Sequence, residues 1–285
     1  MATDATQAPV VSVVIPAFEN ESTLGAAIES VLTQQGPAFE LIVSDHASTD
    51  GTLEIARAYE DDPRVTVASA PSGGGAVANW NHVSALASAP LLKLVCGDDV
   101  LAPGVLARQV RLMDDPGVAL VACRRDVIDG AGRVVLRDRG LQGLRARMTG
   151  PQAVRAAVRS GTNPFGEPSC VMMRTATLAQ VGWWWGERPY VLDLATYVRV
   201  LEHGDFAADP ATGAAFRLST TQQSARMTRR AAGDVGWLTR WAAARHPEEI
   251  RAVDRFVGAV RRTALTAARA AMFLVLAVRS KAVAR

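Results

Sequence analysis

The sequence predicts an α/β protein: a mostly parallel, doubly wound sheet with flanking helices and a helical extension at its C-terminal end. Three observations carry the prediction. A continuous β-branched run, Val10 to Ile15, reads as a strand buried on both faces. Short apolar runs then alternate with stretches of helical periodicity as far as Cys123, the order that gives parallel strands with helices on both sides. Acidic and polar clusters follow several of the apolar runs directly, where such sheets bind ligands. With 285 residues, 49% hydrophobic and 21% charged, the chain has ample material for one large unit with an appended segment.

Taken in order, the first strand ends at Pro16, and a helix follows whose stripe is Leu24, Ala27, Ile28, Val31 and Leu32. Ser22 or Thr23 is placed to cap it, and Gly36-Pro37 stops it. Leu41 to Ser44 is a second strand, Thr52 to Tyr59 a second helix and Val65 to Ala68 a third strand. The loop Ser72 to Gly75 leads to a helix near Asn79 to Ser88, and Leu91 to Cys96 is a strand ending in Gly97-Asp98-Asp99. Pro103 is placed to open a helix reaching Met113, Val118 to Cys123 is a strand, and Ile128 to Gly132 is a turn leading into a hairpin or edge strand. Beyond Thr149 the spacing predicts a helix near Gln152 to Ser160, a strand at Cys170 to Met173 and a helix from Asp193 to Glu202.

Charge divides the chain. Residues 226–285 carry net +9 and the first 225 net −6, an acidic body with a basic tail. Nucleic-acid binding is disfavoured, because the basic residues are not on the main domain. Cys96, Cys123 and Cys170 are widely spaced and odd in number, which argues against a disulfide framework or a zinc site and for the reducing cytoplasm. No signal peptide is evident. The apolar run Ala270 to Val278 is too short for a spanning helix, so the expectation is a cytoplasmic protein, with the inner face of the plasma membrane as a place of contact.

Asp98 and Asp99 are adjacent carboxylates after an apolar strand. They repel one another unless a cation or solvent compensates, which suits a hard divalent ion completed by substrate phosphates; capping of the next helix is the structural alternative. Asp45, directly after the second strand, is placed to accept hydrogen bonds from a base or ribose, whereas Asp50 belongs to a turn.

Together, Val11 to Asn20, Val43 to Thr52, Asn79-Trp80-Asn81 and Gly97-Asp98-Asp99 resemble the family 2 glycosyltransferases, inverting enzymes of the GT-A fold, over about Val10 to Ser224. The resemblance implies a catalytic domain at 1–225, with a nucleotide-sugar half at about 10–125 and an acceptor half at about 126–225, followed by a basic helical extension at 226–285. It implies a metal-dependent transfer from a nucleotide-sugar donor, usually a UDP- or dTDP-sugar, to a hydroxyl of a glycan, lipid-linked intermediate or small molecule, with Mn2+ or Mg2+ as cofactor. Pro16, Ala17, Phe18 and Glu19 would line the nucleoside pocket, Asp45 would hold the base, and Asn79, Asn81 and Asp98 would lie near the donor. Asp98 and Asp99 would serve the metal, with Asp99 touching it, although Cys96 stands where the family often has a further Asp. Asp193 would be the base that deprotonates the acceptor, its alternative being a helix cap. Glu167 within Asn163 to Ser169, together with Trp184 and Trp185, would meet the acceptor; for Glu167 a turn-shaping role is equally open, and at least one of the three consecutive Trp residues is expected in the core.

The segment Phe216 to Ser224 resembles one that often carries a His near the metal. It has none, and Thr220 acting through water is one substitute. His46, His82, His203 and His246 are read as surface or capping residues. A non-catalytic sugar-nucleotide or glycan-binding protein of the same fold is the second reading; a nucleotidyltransferase is disfavoured because Pro16 to Asn20 holds neither glycine nor base. The basic tail is expected to pack as a helix on the body or on a second subunit, with an anionic membrane face as the alternative.

Overall fold

The computed structural model describes residues 8–218 and 228–265. Four parallel strands form one side of the sheet: β1 (Val11–Ala17), β2 (Phe39–Asp45), β3 (Val65–Ser69) and β4 (Leu91–Leu94), in the order β3-β2-β1-β4. All seven residues of β1 are buried, as a β-branched strand covered on both faces should be. Helices α1 (Leu24–Leu32), α2 (Thr52–Arg57) and α3 (Gly75–Ala85) make the crossovers, and α1 buries Leu24, Ala27, Ile28 and Val31 along one stripe.

The sheet continues without interruption into the second half. Two-residue β5 (Val100–Leu101) precedes α4 (Val105–Met113), and β6 (Val118–Ile128) pairs with the edge strand β7 (Val134–Arg139), the hairpin the turn residues predict. After β8 (Arg147–Met148), α5 (Gly150–Ser160) starts with a capping box between Thr149 and Gln152. The antiparallel β9 (Val171–Arg174) sits between β4 and β6, followed by α6 (Thr175–Gln180), α7 (Leu192–Val200) and β10 (Asp205–Arg217). Because β10 runs parallel to β6 and carries β5 and β8, the expected division near residue 125 falls inside a strand of a single ten-stranded sheet.

Besides β5, β8 and α6, which the sequence does not foresee, three elements differ from expectation for local reasons. The helix expected from Pro103 begins at Val105, because Gly104 turns left-handed (φ +74°) after β5 pairs with β10. The helix expected from Asn79 starts at Gly75, behind the left-handed Gly74. Strand β10 is not foreseen; it absorbs Pro210, a residue sheets rarely accept, in an irregularity between Asp209 and Thr212.

The extension is helical where described: α8 (Thr228–Arg245), then residues 252–265. Both pieces pack on the body, as the packing alternative expects. Thr220 and residues 266–285 lie outside the described residues. Among the described residues, no helix is long and apolar enough to cross a membrane.

Candidate active site

Loops leaving the carboxyl ends of β1, β2 and β4 close on one another. The Glu19 N–H donates to Ser48 Oγ (3.1 Å), and Thr49 donates to Glu19 Oε1 through its N–H (2.8 Å) and hydroxyl (3.0 Å). The Asn20 and Glu21 N–H groups donate to Thr52 Oγ1 (2.7 Å) and Asp50 Oδ2 (3.1 Å), which confirms Asp50 as a turn residue. Thr23, instead of capping α1 with its side chain, donates its hydroxyl to the Gly97 carbonyl (2.9 Å). A Cβ on Gly97 would stand 2.6 Å from Asn20 Oδ1, which already accepts from the Phe18 N–H at 2.9 Å. The Gly97-Asp98-Asp99 corner therefore lies against the loop that follows Pro16.

At that loop Pro16 and Ala17 are buried strand residues, while Phe18 is 55% exposed, its ring edge-on to His46 at 6.0 Å. His46 is not the surface residue expected: it is buried, and its Nε2 lies 2.9 Å from the Gly73 carbonyl. Asp45 accepts from the Ser48 N–H at 3.2 Å through Oδ2, and the Asn79 amide donates to the carbonyls of Ala17 (3.1 Å) and Ser44 (3.4 Å). Asp45 Oδ1 and Asn79 Oδ1 are both buried with no hydrogen-bond partner among the described residues. Two such acceptors are costly unless a ligand or water donates to them. Asn81 is committed elsewhere, bracketing the Trp184 main chain by accepting from its N–H (2.8 Å) and donating to its carbonyl (3.3 Å).

At the acidic corner, ligand atoms of Cys96, Asp98 and Asp99 lie within 4.8 Å of one another. Asp99 is fully buried, accepting from the Ser169 hydroxyl (2.7 Å) and the Arg217 N–H (3.2 Å). Burial, then the neighbouring Asp98 charge, push its carboxyl well above the ordinary range. Burial, then the Asp99 and Asp98 charges, push the Cys96 thiol up. Two adjoining carboxylates whose mutual repulsion a cation would relieve fit a hard divalent ion; the soft sulfur of Cys96 does not suit the same ion.

The loop 163–169 spans from this corner to Asp193. Ser169 holds Asp99, and the Asn163 amide donates to Asp193 Oδ2 at 2.8 Å and to the Gly166 carbonyl at 2.8 Å. Asp193 is not a cap, because α7 starts one residue earlier with Val191 at its N-cap; its Oδ1 accepts from the Leu194 N–H at 2.7 Å. Burial pushes its carboxyl up to about 6, opposed by the Leu194 N–H and aided by the Glu167 charge.

Both tryptophans expected at the acceptor have partners within the protein. Trp184 is 2% exposed, donates its indole N–H to Ser84 Oγ at 2.8 Å and meets Trp80 and Tyr197 edge-on, so no ring face is left for a sugar. Trp185 stacks on Trp237 and Trp241 of α8, with centroids 4.9 and 5.8 Å away. Glu167 is engaged through both carboxylate oxygens by Arg125, a residue the sequence did not single out. Arg217 was also missed: its guanidinium donates to the carbonyls of Asp98, Asp129 and Gly130 and pins the acidic corner to the β6–β7 turn. No motif marks Arg125, and although Arg217 lies in the Phe216 to Ser224 segment, nothing there singles it out, since each arginine acts through contacts distant in sequence.

Residues 12–182 match the family described as glycosyl transferase family 2. A Mycobacterium tuberculosis protein named only as uncharacterized, MT1568, is 31% identical over 210 residues, 68% of this chain; the chain spans 62% of that relative's length. Among solved structures, TarS 1-349 of S. aureus in complex with UDP-GlcNAc superposes with a TM-score of 0.67 at 16% identity, covering 84% of this chain and 69% of its own. The mannosyltransferase PcManGT of Pyrobaculum calidifontis, solved with GDP-Man and Mn2+, gives 0.57 at 17% identity, covering 96% and 83%. The shared fold is the GT-A arrangement. Residues 12–182 are well over half of the chain, and with the sheet order and the converging loops they identify it: this protein belongs to glycosyl transferase family 2.

Proposed function

We propose that the chain is an inverting glycosyltransferase that moves a sugar from a nucleotide-sugar donor to a hydroxyl of a glycan, lipid-linked intermediate or small molecule, with a divalent metal at the corner formed by Asp98 and Asp99. The observation that carries this reading is the raised, hydrogen-bonded carboxylate of Asp193, joined through the loop 163–169 to an acidic corner that abuts the loop after β1.

In this reading Asp45 Oδ1 accepts from the base, and Phe18 lends its exposed ring to the nucleoside. Asn79 fixes the ends of β1 and β2, and Glu19 holds their loops together. Asp98, the less buried carboxylate, would hold the ion, in place of the Asp99 expected from the resemblance, which is fully buried and hydrogen-bonded to Ser169 and the Arg217 N–H. Bound there, Mn2+ or Mg2+ would neutralise the departing diphosphate. Asp193 takes the acceptor hydroxyl proton as that oxygen attacks the anomeric carbon from the face opposite the nucleotide. Neighbours that bind UDP-GlcNAc and GDP-Man support a nucleotide-sugar donor.

The test is incubation of the full chain with UDP-, dTDP- and GDP-sugars and Mn2+, read by calorimetry and donor turnover. One donor should bind and be turned over; Asp193→Asn should keep binding and lose turnover by about 10²-fold or more. Binding without turnover in the unaltered chain would favour the non-catalytic reading, and silence across the panel would contradict both.

A further inference from the structure

A charged cavity borders α5 and shares no residue with the carboxylate site. Its volume is about 250 Å3, and its lining includes four arginines, Arg145, Arg155, Arg159 and Arg261, with Glu249 the one acidic residue. The four guanidinium groups share two carboxylates among the described residues. Fully buried Asp254 accepts from Arg155 Nε (3.1 Å) and from Arg159, and Glu249 stands 3.5 Å from Arg155. Arg145 and Arg261 donate to neutral oxygens, those of Gln152 (3.3 Å) and the Arg159 carbonyl (3.3 Å). Positive charge is thus left over where guanidinium forks can converge on a phosphate.

One wall of the cavity is the helix at 252–265. Its inner face presses on α5: a Cβ on Gly258 would stand 2.0 Å from the Val158 carbonyl, and one on Gly161 would stand 2.5 Å from the Gly258 carbonyl. Its outer face carries Val253, Phe256 and Val260 at helical spacing, exposed by 55%, 69% and 53%; exposed Arg255 and Arg261, and Arg251 just before the helix, lie on the flanks of that ridge. The helix leads into residues 266–285, whose sequence adds Arg269, Arg279, Lys281 and Arg285 and no acidic residue.

We propose that this face docks on an anionic lipid bilayer: the arginine cavity takes a lipid phosphate headgroup while Phe256, Val253 and Val260 enter the interface beside it. Charge complementarity selects this occupant. A basic, apolar-ridged helix face suits an acidic membrane surface, whereas a symmetric pairing of two copies through it would set their arginine cavities against one another. The acidic body, net −6 over its first 225 residues, disfavours a nucleic acid. The proposal does not depend on the donor site.

The experiment is flotation of the full chain with vesicles of phosphatidylcholine alone and of phosphatidylcholine with phosphatidylglycerol, repeated at high salt. Size-exclusion mass and thermal melting are read alongside. The protein should bind the anionic vesicles at least tenfold more tightly than the neutral ones, and salt should weaken the binding. Phe256→Ser, Arg261→Glu and Arg145→Glu should each weaken it about fivefold or more with unchanged melting; Arg145 lies off the helix, so its variant tests the cavity even if a helix variant melts early. Equal binding to both vesicles, no binding, or indifference to all three variants would overturn the proposal. Inorganic phosphate displacing the vesicles at micromolar concentration would assign the cavity to a soluble anion, and a dimer lost in Phe256→Ser without vesicle binding would assign the face to a second copy; either would overturn it too.

Discussion

Asp193 ties stability to activity at the scale of a single residue. Its folded-state pKa of about 6 lies above the ordinary carboxylate value of 3.8, so the wild type loses stability as pH rises from about 4 through 6, while turnover, which needs the ionised base, rises over the upper part of that range. Asp193→Asn should therefore be the more stable protein above pH 6, by at most about 3 kcal/mol and by less where water reaches the carboxylate, with the difference vanishing below pH 4; urea melts at pH 4 and 8 check this. Gly97 makes a second residue-scale prediction. In Gly97→Ala the new methyl displaces Asn20 and its bond to the Phe18 N–H, so nucleotide affinity should fall with a stability loss of about 1–3 kcal/mol, read by calorimetry and melting. A variant with unchanged affinity would mean that the acidic corner and the loop after β1 move independently.

Among elements, α8 is the one that ties the extension to the chemistry. Trp185, Trp237 and Trp241 form nearly parallel rings with interplanar angles of 15–17°, flanked by Arg188 over Trp237 (5.6 Å) and Arg245 over Trp241 (5.1 Å). The stack braces the segment that runs from Trp185 into Asp193. Trp237→Ala should cost about 2–3 kcal/mol, remove a near-UV dichroism signal of the coupled indoles and lower kcat while leaving donor affinity unchanged. Normal kcat in that variant would make the stack purely structural. Of the elements themselves, β1 to β4 and their crossovers were legible because each strand is a short apolar run bounded by turn residues. Strand β10 was not, because its Pro210 bulge imitates a turn, and the role of Trp185 was not, because its partners lie about fifty residues onward in a segment outside the resemblance. Asp45, Asp98, Asp99 and Asp193, the carboxylates proposed for the site, stand out in the sequence by their positions after strands or ahead of a helix. Arg125 and Arg217, which hold Glu167 and the acidic corner, became visible only in three dimensions.

At the scale of the whole molecule, the described part of the extension packs on the body. Asp254 in the extension is fully buried between Arg155 and Arg159 of α5, and the tryptophan stack closes the other contact. A chain truncated after residue 225 leaves those two arginines without that carboxylate and Trp185 without its stack, so it should melt several degrees lower or aggregate, as thermal scanning would show. The opposing end of the sheet carries the claim on which the functional reading stands, that side chains from β2, β4 and α7 surround one nucleotide diphosphate. The most direct measurement is a crystal structure of the full chain with UDP and Mn2+. The predicted result has the uracil donating to Asp45 Oδ1, the ion between Asp98 and the diphosphate, and Asp193 facing the open side of the β-phosphate. A diphosphate bound away from the Gly97-Asp98-Asp99 corner, or an Asp193 turned from the cavity, would contradict it.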